Sequence, residues 1–293
     1  MTGIAIDTMG GDHAPREIVK GAVWAALDYD IPIELVGKED AIKAELDNIA
    51  KYGIRSRRGG YFPQNIRVDL SKLDIKITHA EEIIEMGEAP GQAIRKKRKS
   101  SIVLTVDAVA KGSSDAVVAA GSTGAAMASS LFGLGRLPGI ERPAIAVMLP
   151  AMKKPFLLLD AGANSSCTPE MLYQFAVMGT TFVKNVYGRK DAKVGVLNIG
   201  EEAGKGNELV QNTYKMLEEN KNGLNFIGNI EGKEMFQGTC DVIICDGFTG
   251  NVALKIIEGS SSMLFKMIQQ QFNTDIISKI IGLLAKPFMK RIY

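Results

Sequence analysis

The sequence repeats one local pattern, in which a short apolar run ends in a turn rich in glycine and small polar residues. Five such turns follow predicted strands, at Asp7, Gly121, Asp160, Asn198 and Asp246. A predicted helix follows each turn, and the order strand, turn, helix is typical of a parallel sheet in an α/β fold. Because the carboxyl ends of parallel strands lie at one edge of their sheet, we expect these turns to line a common cleft.

Strands and helices are predicted to alternate along the chain as one α/β domain. A soft subdivision is expected at 137–143, where Leu137-Pro138-Gly139 precedes Arg142-Pro143, and an exposed loop at 53–65. Strands are predicted at 3–6, 31–36, 75–78, from 117, and at 144–149, 156–159, 194–199, 226–228 and 242–245. Helices are predicted at about 15–27, 39–52, 91–111 in two pieces, 168–186 and up to 220, with a long helix after 251.

The turn Gly121-Ser122-Thr123-Gly124 stands between an apolar strand and an Ala-rich helix. At such a turn the first N–H groups of the helix lack partners, and glycines without side chains let an anion approach the backbone. Ser122 and Thr123 add hydroxyl groups. The turn is therefore either a phosphate site or a tightly packed structural corner, and the tetrapeptide by itself leaves both open.

Two further strand ends carry groups suited to proton transfer. Asp12 and His13 follow the first strand, and a histidine beside a carboxylate can exchange protons near neutral pH. The alternative for this pair is a helix-capping aspartate with a hydrogen-bonded histidine. Asp246 is a second candidate base, in a turn that also contains the potential donor Asn251.

Amide and ammonium groups supply candidate anion ligands. Asn164 lies in the corner that begins at Asp160, where its amide can donate to a phosphate or carbonyl oxygen or can hold an Asx turn. Lys205 lies between Gly204 and Gly206, so a flexible backbone lets its ammonium group reach an anion. Its spacing from upstream residues does not match a P-loop.

Composition excludes several classes of function. Of the 293 residues, 46% are hydrophobic and 23% charged, and the net charge of +2 gives no reason to expect nucleic acid as a partner. Cys167, Cys240 and Cys245 show no paired spacing and the chain opens without a signal-peptide pattern, so a cytoplasmic location is expected. With only two histidines, no metal site is predicted.

Two stretches suggest contacts with larger partners. The basic run Arg95-Lys96-Lys97-Arg98-Lys99 is either a solvated helix face or a docking surface for an acidic partner. The stretch 273–293 combines large apolar residues with cations, which suits a helix lying in a membrane interface or an oligomer contact. Its apolar residues include Ile276, Ile277, Ile280, Ile281 and Leu284.

Taken jointly, the motifs between Asp7 and Gly259 resemble the bacterial phosphate acyltransferases of phospholipid synthesis. The matching segments are AIDTMGGDHAP, AIRKKRKSS, AAGSTGA, LGRLPGIERPA, LLLDAGAN, VGVLNIGEEAGKGNE, NFIGNIEG and CDGFTGNVALKIIEG. The resemblance implies a Rossmann-like αβα sandwich with a mostly parallel sheet, akin to phosphotransacetylases and to isocitrate and isopropylmalate dehydrogenases. It also implies a homodimer with a peripheral membrane habit.

The expected reaction follows from this resemblance. Inorganic phosphate attacks the thioester of a long-chain acyl-acyl carrier protein without a cofactor or metal. Gly121 to Gly124 and Lys205 hold phosphate, Asn164 and Asn251 steady the oxyanion, and His13 with Asp12, or else Asp246, handles the proton. Arg95, Lys96, Lys97 and Arg98 steer the carrier. The alternatives are a short-chain phosphotransacetylase and a non-catalytic membrane-associated scaffold.

The sequence departs from the family pattern in four places. Ser122 replaces the family's usual asparagine, and Ser166 replaces its usual aspartate. The insertion at 55–65 is longer than the usual loop. The family's Gly-Gly-rich segment and final helix would follow Tyr293, so a truncated chain is expected.

Overall fold

A computed structural model describes residues 3–55, 65–220 and 223–292 of the chain. Contacts divide the protein into two compact units, Met1–Gly139 (unit 1) and Ile140–Tyr293 (unit 2). Each unit contains its own main sheet and its own apolar core. The predicted loop at 53–65 lies mostly outside the described residues, which cover only its flanks.

Unit 1 has a parallel sheet of four strands in the order β5-β2-β1-β6. The strands β1 and β2 contribute fully buried Ala5 and Leu35 to the core, and α1 and α2 contribute Val23 and Ile42. A short antiparallel pair, β3 with β4, flanks residues 56–64. The elements are β1 (Ile4–Asp7), α1 (Arg16–Tyr29), β2 (Ile33–Gly37), α2 (Glu39–Tyr52), β3 (Ile54–Arg55), β4 (Asn65–Ile66), β5 (Ile75–His79), α3 (Pro90–Lys96), α4 (Ser101–Ala110), β6 (Ala116–Ala119) and α5 (Thr123–Gly133).

Unit 2 has a sheet of five strands in the order β10-β9-β11-β8-β7, parallel except for β7. Every residue of β8 and β11 is buried, as expected for central strands covered on both faces. The elements are β7 (Ala146–Leu149), β8 (Phe156–Leu159), α6 (Pro169–Tyr187), β9 (Lys193–Asn198), α7 (Glu208–Glu219), β10 (Asn225–Glu231), β11 (Val242–Ile244), α8 (Gly247–Gln271) and α9 (Ile276–Ile292).

The predicted α/β fold with a mostly parallel sheet arrangement is confirmed, but the prediction of one shared sheet edge is wrong. Asp7 and Gly121 follow strands of unit 1, whereas Asp160, Asn198 and Asp246 follow strands of unit 2. The reason is that β7 pairs antiparallel with β8 and with no strand of the first sheet. The chain therefore starts a second sheet after α5.

The two last helices expose many large apolar side chains. Ile276 and Ile277 are 78% and 71% exposed, and Ile280, Ile281 and Leu284 are also exposed. A bilayer-crossing helix would need a longer apolar stretch than any helix in the described ranges provides. Exposed apolar side chains on adjacent helices mark a candidate interaction surface.

Candidate active site

In unit 1, two glycine turns pack backbone against backbone at the carboxyl ends of β1 and β6. A Cβ atom on Gly121 would lie 2.9 Å from Gly10 Cα, and one on Gly10 would lie 2.9 Å from Gly121 Cα. Gly11 adopts a φ of +107° beside the Ala120 carbonyl oxygen, a conformation that favours glycine. These contacts bring the Gly121 turn and the turn after β1 together, so these two polar strand ends do share an edge.

Ser122 caps the N-terminus of α5. Its Oγ accepts a hydrogen bond from the Ala125 N–H at 3.3 Å, and its carbonyl oxygen accepts from Ala126 at 2.9 Å. The N–H groups of Thr123 and Gly124 precede these bonds and have no acceptor within the helix. Two backbone donors at the positive end of the helix dipole are thus available to an anion.

Asp7, at the first polar strand end, lies beside the glycine turns of unit 1. Its carboxyl is buried at the end of β1, where Oδ1 accepts from the Met9 N–H at 3.1 Å. Burial raises the pKa of the Asp7 carboxyl, although hydrogen bonds from Ser101, Met9 and Gly10 oppose the shift. Its place directly after an apolar strand was the only sequence signal.

Asp12 and His13 are both exposed in the turn before α1. In the part of unit 1 that the structure describes, no hydrogen bond joins their side chains. The orientation of His13 by Asp12 therefore stays a prediction, and the exposure of His13 leaves its ring accessible to a reactant.

In unit 2, Asp160 organises the corner that follows β8. Its fully buried carboxylate accepts backbone N–H bonds from Ile145, Gly162, Ala163 and Asn164 at 2.8 to 3.1 Å, and a fifth bond from the Asn164 side-chain amide. Since buried donors without partners are costly, this carboxylate fixes the corner.

The side-chain amide of Asn164 is bonded within the corner that follows β8. Its side-chain N–H groups donate to Asp160 Oδ2 and to the Pro143 carbonyl oxygen, each at 2.8 Å. A primary amide has two N–H hydrogens, so both are used within the fold. These bonds hold the turn, which is the structural alternative for Asn164, and its role at an oxyanion stays a prediction.

The start of α8 packs closely on the Asp160 corner. Gly247 donates its N–H to the Asn164 carbonyl oxygen at 2.7 Å, and a Cβ on Gly250 would overlap the Asp160 carbonyl oxygen. Asn251 lies on the next residue of α8, exposed and in contact with Gly162. No hydrogen bond occupies its side chain among the described residues, so its amide can still serve as a donor.

Asp246 caps α8 and lines a cavity. Its two carboxylate oxygens accept from the Thr249 N–H at 2.9 Å and the Thr249 hydroxyl at 2.7 Å. The cavity has a volume of about 370 Å³ and is bounded by the ends of β9 and β11 together with α7. A carboxylate that accepts two hydrogen bonds still has lone pairs for a third partner.

Lys205 lies in the loop between β9 and α7 with its side chain exposed. Asn198 donates its amide to the Lys205 carbonyl oxygen at 3.1 Å, and Gln211 donates to the carbonyl oxygens of Gly204 and Gly206. These bonds hold the loop backbone. Within the described ranges the Lys205 ammonium group forms no ion pair, so it can attract an anionic ligand.

The cysteines are poorly suited to nucleophilic catalysis. Burial and the charges of Asp160 and Asp246 raise the pKa of the Cys167 thiol to about 11. Burial also raises the pKa of Cys245. Both thiols are protonated at neutral pH, and a thiol is a weaker nucleophile than its thiolate.

The basic run spans the end of α3 and the following turn. Arg95, Lys96 and Arg98 are exposed, but Lys97 donates to the Ile83 carbonyl oxygen and pairs with Glu88. The charge of Lys97 is therefore compensated within unit 1, and its role as a carrier-docking cation stays a prediction. Lys99 is exposed but pairs with Glu81 at 3.0 Å. Arg95, Lys96 and Arg98 have no ion pair among the described residues, so their charge remains at the surface.

Comparison with known proteins identifies the family. A sequence profile described as "Fatty acid synthesis protein" matches residues 2–293. The chain belongs to this family. The "Phosphate acyltransferase" of Halothermothrix orenii is 46% identical over 289 residues, 98% of this chain and 81% of that protein. The one from Pelotomaculum thermopropionicum is 48% identical over 287 residues, 98% of this chain and 78% of that protein.

Solved structures support the fold assignment of this fatty acid synthesis family member. A phosphotransacetylase from Streptococcus pyogenes aligns with a TM-score of 0.61 at 16% identity, covering 89% of this chain and 82% of that chain. The EutD phosphotransacetylase from Staphylococcus aureus gives 0.59 with the same identity and coverage. At these identities the likeness concerns the fold, and the sequence relatives carry the family assignment.

Proposed function

We propose that the protein transfers a long-chain acyl group from acyl carrier protein to inorganic phosphate. The observation that carries this proposal is the α5 N-terminus, where the N–H groups of Thr123 and Gly124 have no acceptor within the helix and follow the turn in which Gly121 packs on Gly10. A helix N-terminus with glycine on both sides is suited to a phosphate oxygen. The relatives named phosphate acyltransferase support phosphate as the acceptor.

In the proposed reaction, the bond from the acyl carbonyl carbon to sulfur is replaced by a bond to a phosphate oxygen. A phosphate oxygen attacks the thioester, and a tetrahedral oxyanion forms and then expels the thiolate. Phosphate gives up a proton and the departing thiolate gains one, so protons balance. In unit 1, the α5 donors are the candidate phosphate ligands and His13 is a candidate for moving the proton. In unit 2, Lys205 is the candidate for offsetting negative charge, the Asn251 amide for stabilising the oxyanion, and Asp246 for moving the proton.

The spacing of residues along α5 supports a thioester that extends from the docked carrier toward the glycine turn. Pro90 at the start of α3 meets Gly124, whereas Arg95 covers the Phe132 ring at 5.9 Å. Gly124 and Phe132 are eight residues apart on α5, which corresponds to roughly 12 Å along the helix axis. A carrier docked on Arg95, Lys96 and Arg98 must therefore extend its thioester toward the turn, and its docking should weaken with salt.

A thiol-release assay tests the function. The protein is incubated with phosphate and either palmitoyl carrier protein or acetyl-CoA, and free thiol is followed. Turnover with the palmitoyl carrier supports the proposal. Turnover confined to acetyl-CoA identifies a short-chain phosphotransacetylase, and absence of turnover with both substrates favours the scaffold.

Lys205→Ala is expected to raise the KM for phosphate about tenfold with a smaller change in kcat, because a lost charge-assisted contact costs about 1.5 kcal/mol. Steady-state kinetics at varied phosphate measure both constants. Lys215→Ala, in α7 of the same unit, is the matched control. An unchanged KM for phosphate in Lys205→Ala removes this residue from the proposed site.

We further propose that α9 attaches the protein to a membrane surface, with a homodimer contact as the alternative. Ile280→Glu places a charge among side chains that are 52% to 78% exposed, so at least a tenfold loss of liposome binding is expected. Liposome flotation measures it, with Lys279→Glu as a control for added negative charge. Retained flotation together with a shift in oligomer mass assigns the face to the dimer.

A further inference from the structure

A second cavity lies in unit 1, and none of the residues assigned to catalysis lines it. It is bounded by α3, α4 and α5 and has a volume of about 540 Å³, and we call it the α3–α5 cavity. Ile94, Val103, Val106 and Phe132 form its apolar wall. Cavities of roughly 300 to 1,000 Å³ with apolar walls and a few polar groups are typical of small-molecule sites.

The rim of the α3–α5 cavity is positively charged. Arg95 and Arg98 both line it, and the Arg95 guanidinium lies 5.9 Å from the Phe132 ring centroid. Arg98 has no acidic partner within the described ranges. Asp107 also lines the cavity, but Lys111 pairs with it at 3.3 Å. Two guanidinium groups beside an apolar wall fit a ligand with an anionic head and an aliphatic body.

Ser129 adds an unsatisfied polar group to this cavity. Ser129 is 3% exposed, and its Oγ has no hydrogen-bond partner among the residues that the structure describes. Ser129 and Phe132 are three positions apart, so they share a face of α5. The hydroxyl therefore lies one helical turn from the ring that Arg95 covers, and a ligand oxygen there would satisfy it.

We propose that the α3–α5 cavity binds a single-chain aliphatic anion. Arg95 and Arg98 hold its carboxylate or phosphate head group, the Ser129 hydroxyl donates to an adjacent oxygen, and the chain packs on Ile94, Val106 and Phe132. A fatty acid and an acyl phosphate share this chemistry. One consequence rests on the proposed function: the bound anion occupies two arginines of the carrier-docking surface, so it competes with the carrier.

The test measures binding to the full chain by equilibrium dialysis at concentrations below micelle formation. The probes are palmitate, hexadecyl phosphate as a stable stand-in for an acyl phosphate, and hexadecanol as the uncharged reference. Saturable binding of one or both anions, with at least tenfold weaker binding of hexadecanol, supports the site. The anion that binds more tightly identifies the source of the ligand.

Variants locate the bound anion. Arg95→Gln and Arg98→Gln are each expected to weaken anion binding about tenfold, and Ser129→Ala about threefold. Lys96→Gln is the matched control, since it removes one charge from the same basic run without lining the cavity. Phe132→Ser, at an exposed position, tests the apolar wall without a buried substitution.

The proposal is overturned if neither anion binds, if Lys96→Gln weakens binding as much as Arg98→Gln, or if Arg98→Gln and Phe132→Ser both leave binding unchanged. Failure of the proposed function is separable, because dialysis requires no turnover. An inactive protein that binds the anion in this pattern refutes the acyl transfer alone. An active protein that does not bind it refutes the cavity alone.

Discussion

Asp160→Ala is expected to lower the free energy of unfolding of unit 2 by roughly 3 to 5 kcal/mol, because it leaves five buried hydrogen-bond donations without their acceptor. Urea unfolding followed by far-ultraviolet circular dichroism measures the change. Trp24, the one tryptophan in the sequence, belongs to unit 1 and its fluorescence reports that unit separately.

The control for this experiment is Asp191→Ala, which removes an exposed aspartate of the same unit. We expect it to change the unfolding free energy by less than about 0.5 kcal/mol. If the Asp160→Ala and Asp191→Ala variants unfold at the same urea concentration, the proposal that Asp160 holds the corner together is contradicted.

Gly121→Ala is expected to lower kcat/KM for phosphate-dependent thiol release about a hundredfold. The added methyl group would lie 2.9 Å from Gly10 Cα, and no side-chain rotation relieves this contact because Cβ is fixed by its own backbone and Gly10 Cα is backbone. The turn must shift, which moves the Thr123 and Gly124 donors, and a displacement of about 1 Å in an active site costs roughly a hundredfold in rate.

Gly87→Ala provides the comparison for Gly121→Ala, since nothing lies within 4 Å of a Cβ at that position. Circular dichroism of both variants separates lost activity from lost fold. Equal activity in the two variants would show that the close approach of the turns is dispensable for phosphate transfer.

Local sequence patterns predicted the elements well because their causes are local. The helix predicted at 39–52 is α2 (Glu39–Tyr52), and the strand predicted at 156–159 is β8 (Phe156–Leu159). The assignment of strands to sheets was wrong, because an apolar run does not specify its neighbour. The antiparallel pairing of β7 with β8 is a tertiary choice that periodicity does not encode.

The contacts of individual site residues could not be predicted either, because they also depend on which distant residues the fold brings together. The sequence shows that Asn164 follows Asp160, but not that the Pro143 carbonyl oxygen takes its second N–H. Glycine content identified the Gly121 turn as a candidate anion site, while its contact with Gly10 arises from residues 111 positions apart. The sequence shows a uniform basic run, whereas the structure pairs Lys97 with Glu88 and Lys99 with Glu81.

The close packing of α8 on the Asp160 corner fixes where this long helix begins. Gly250 admits no larger side chain there, so the helix meets the corner at a fixed point. From Gly247 the helix runs for 25 residues, a rod of about 37 Å. The contacts of Gly247 and Gly250 therefore set the position of one end of this helix, and a larger side chain at either residue would displace the helix from the corner.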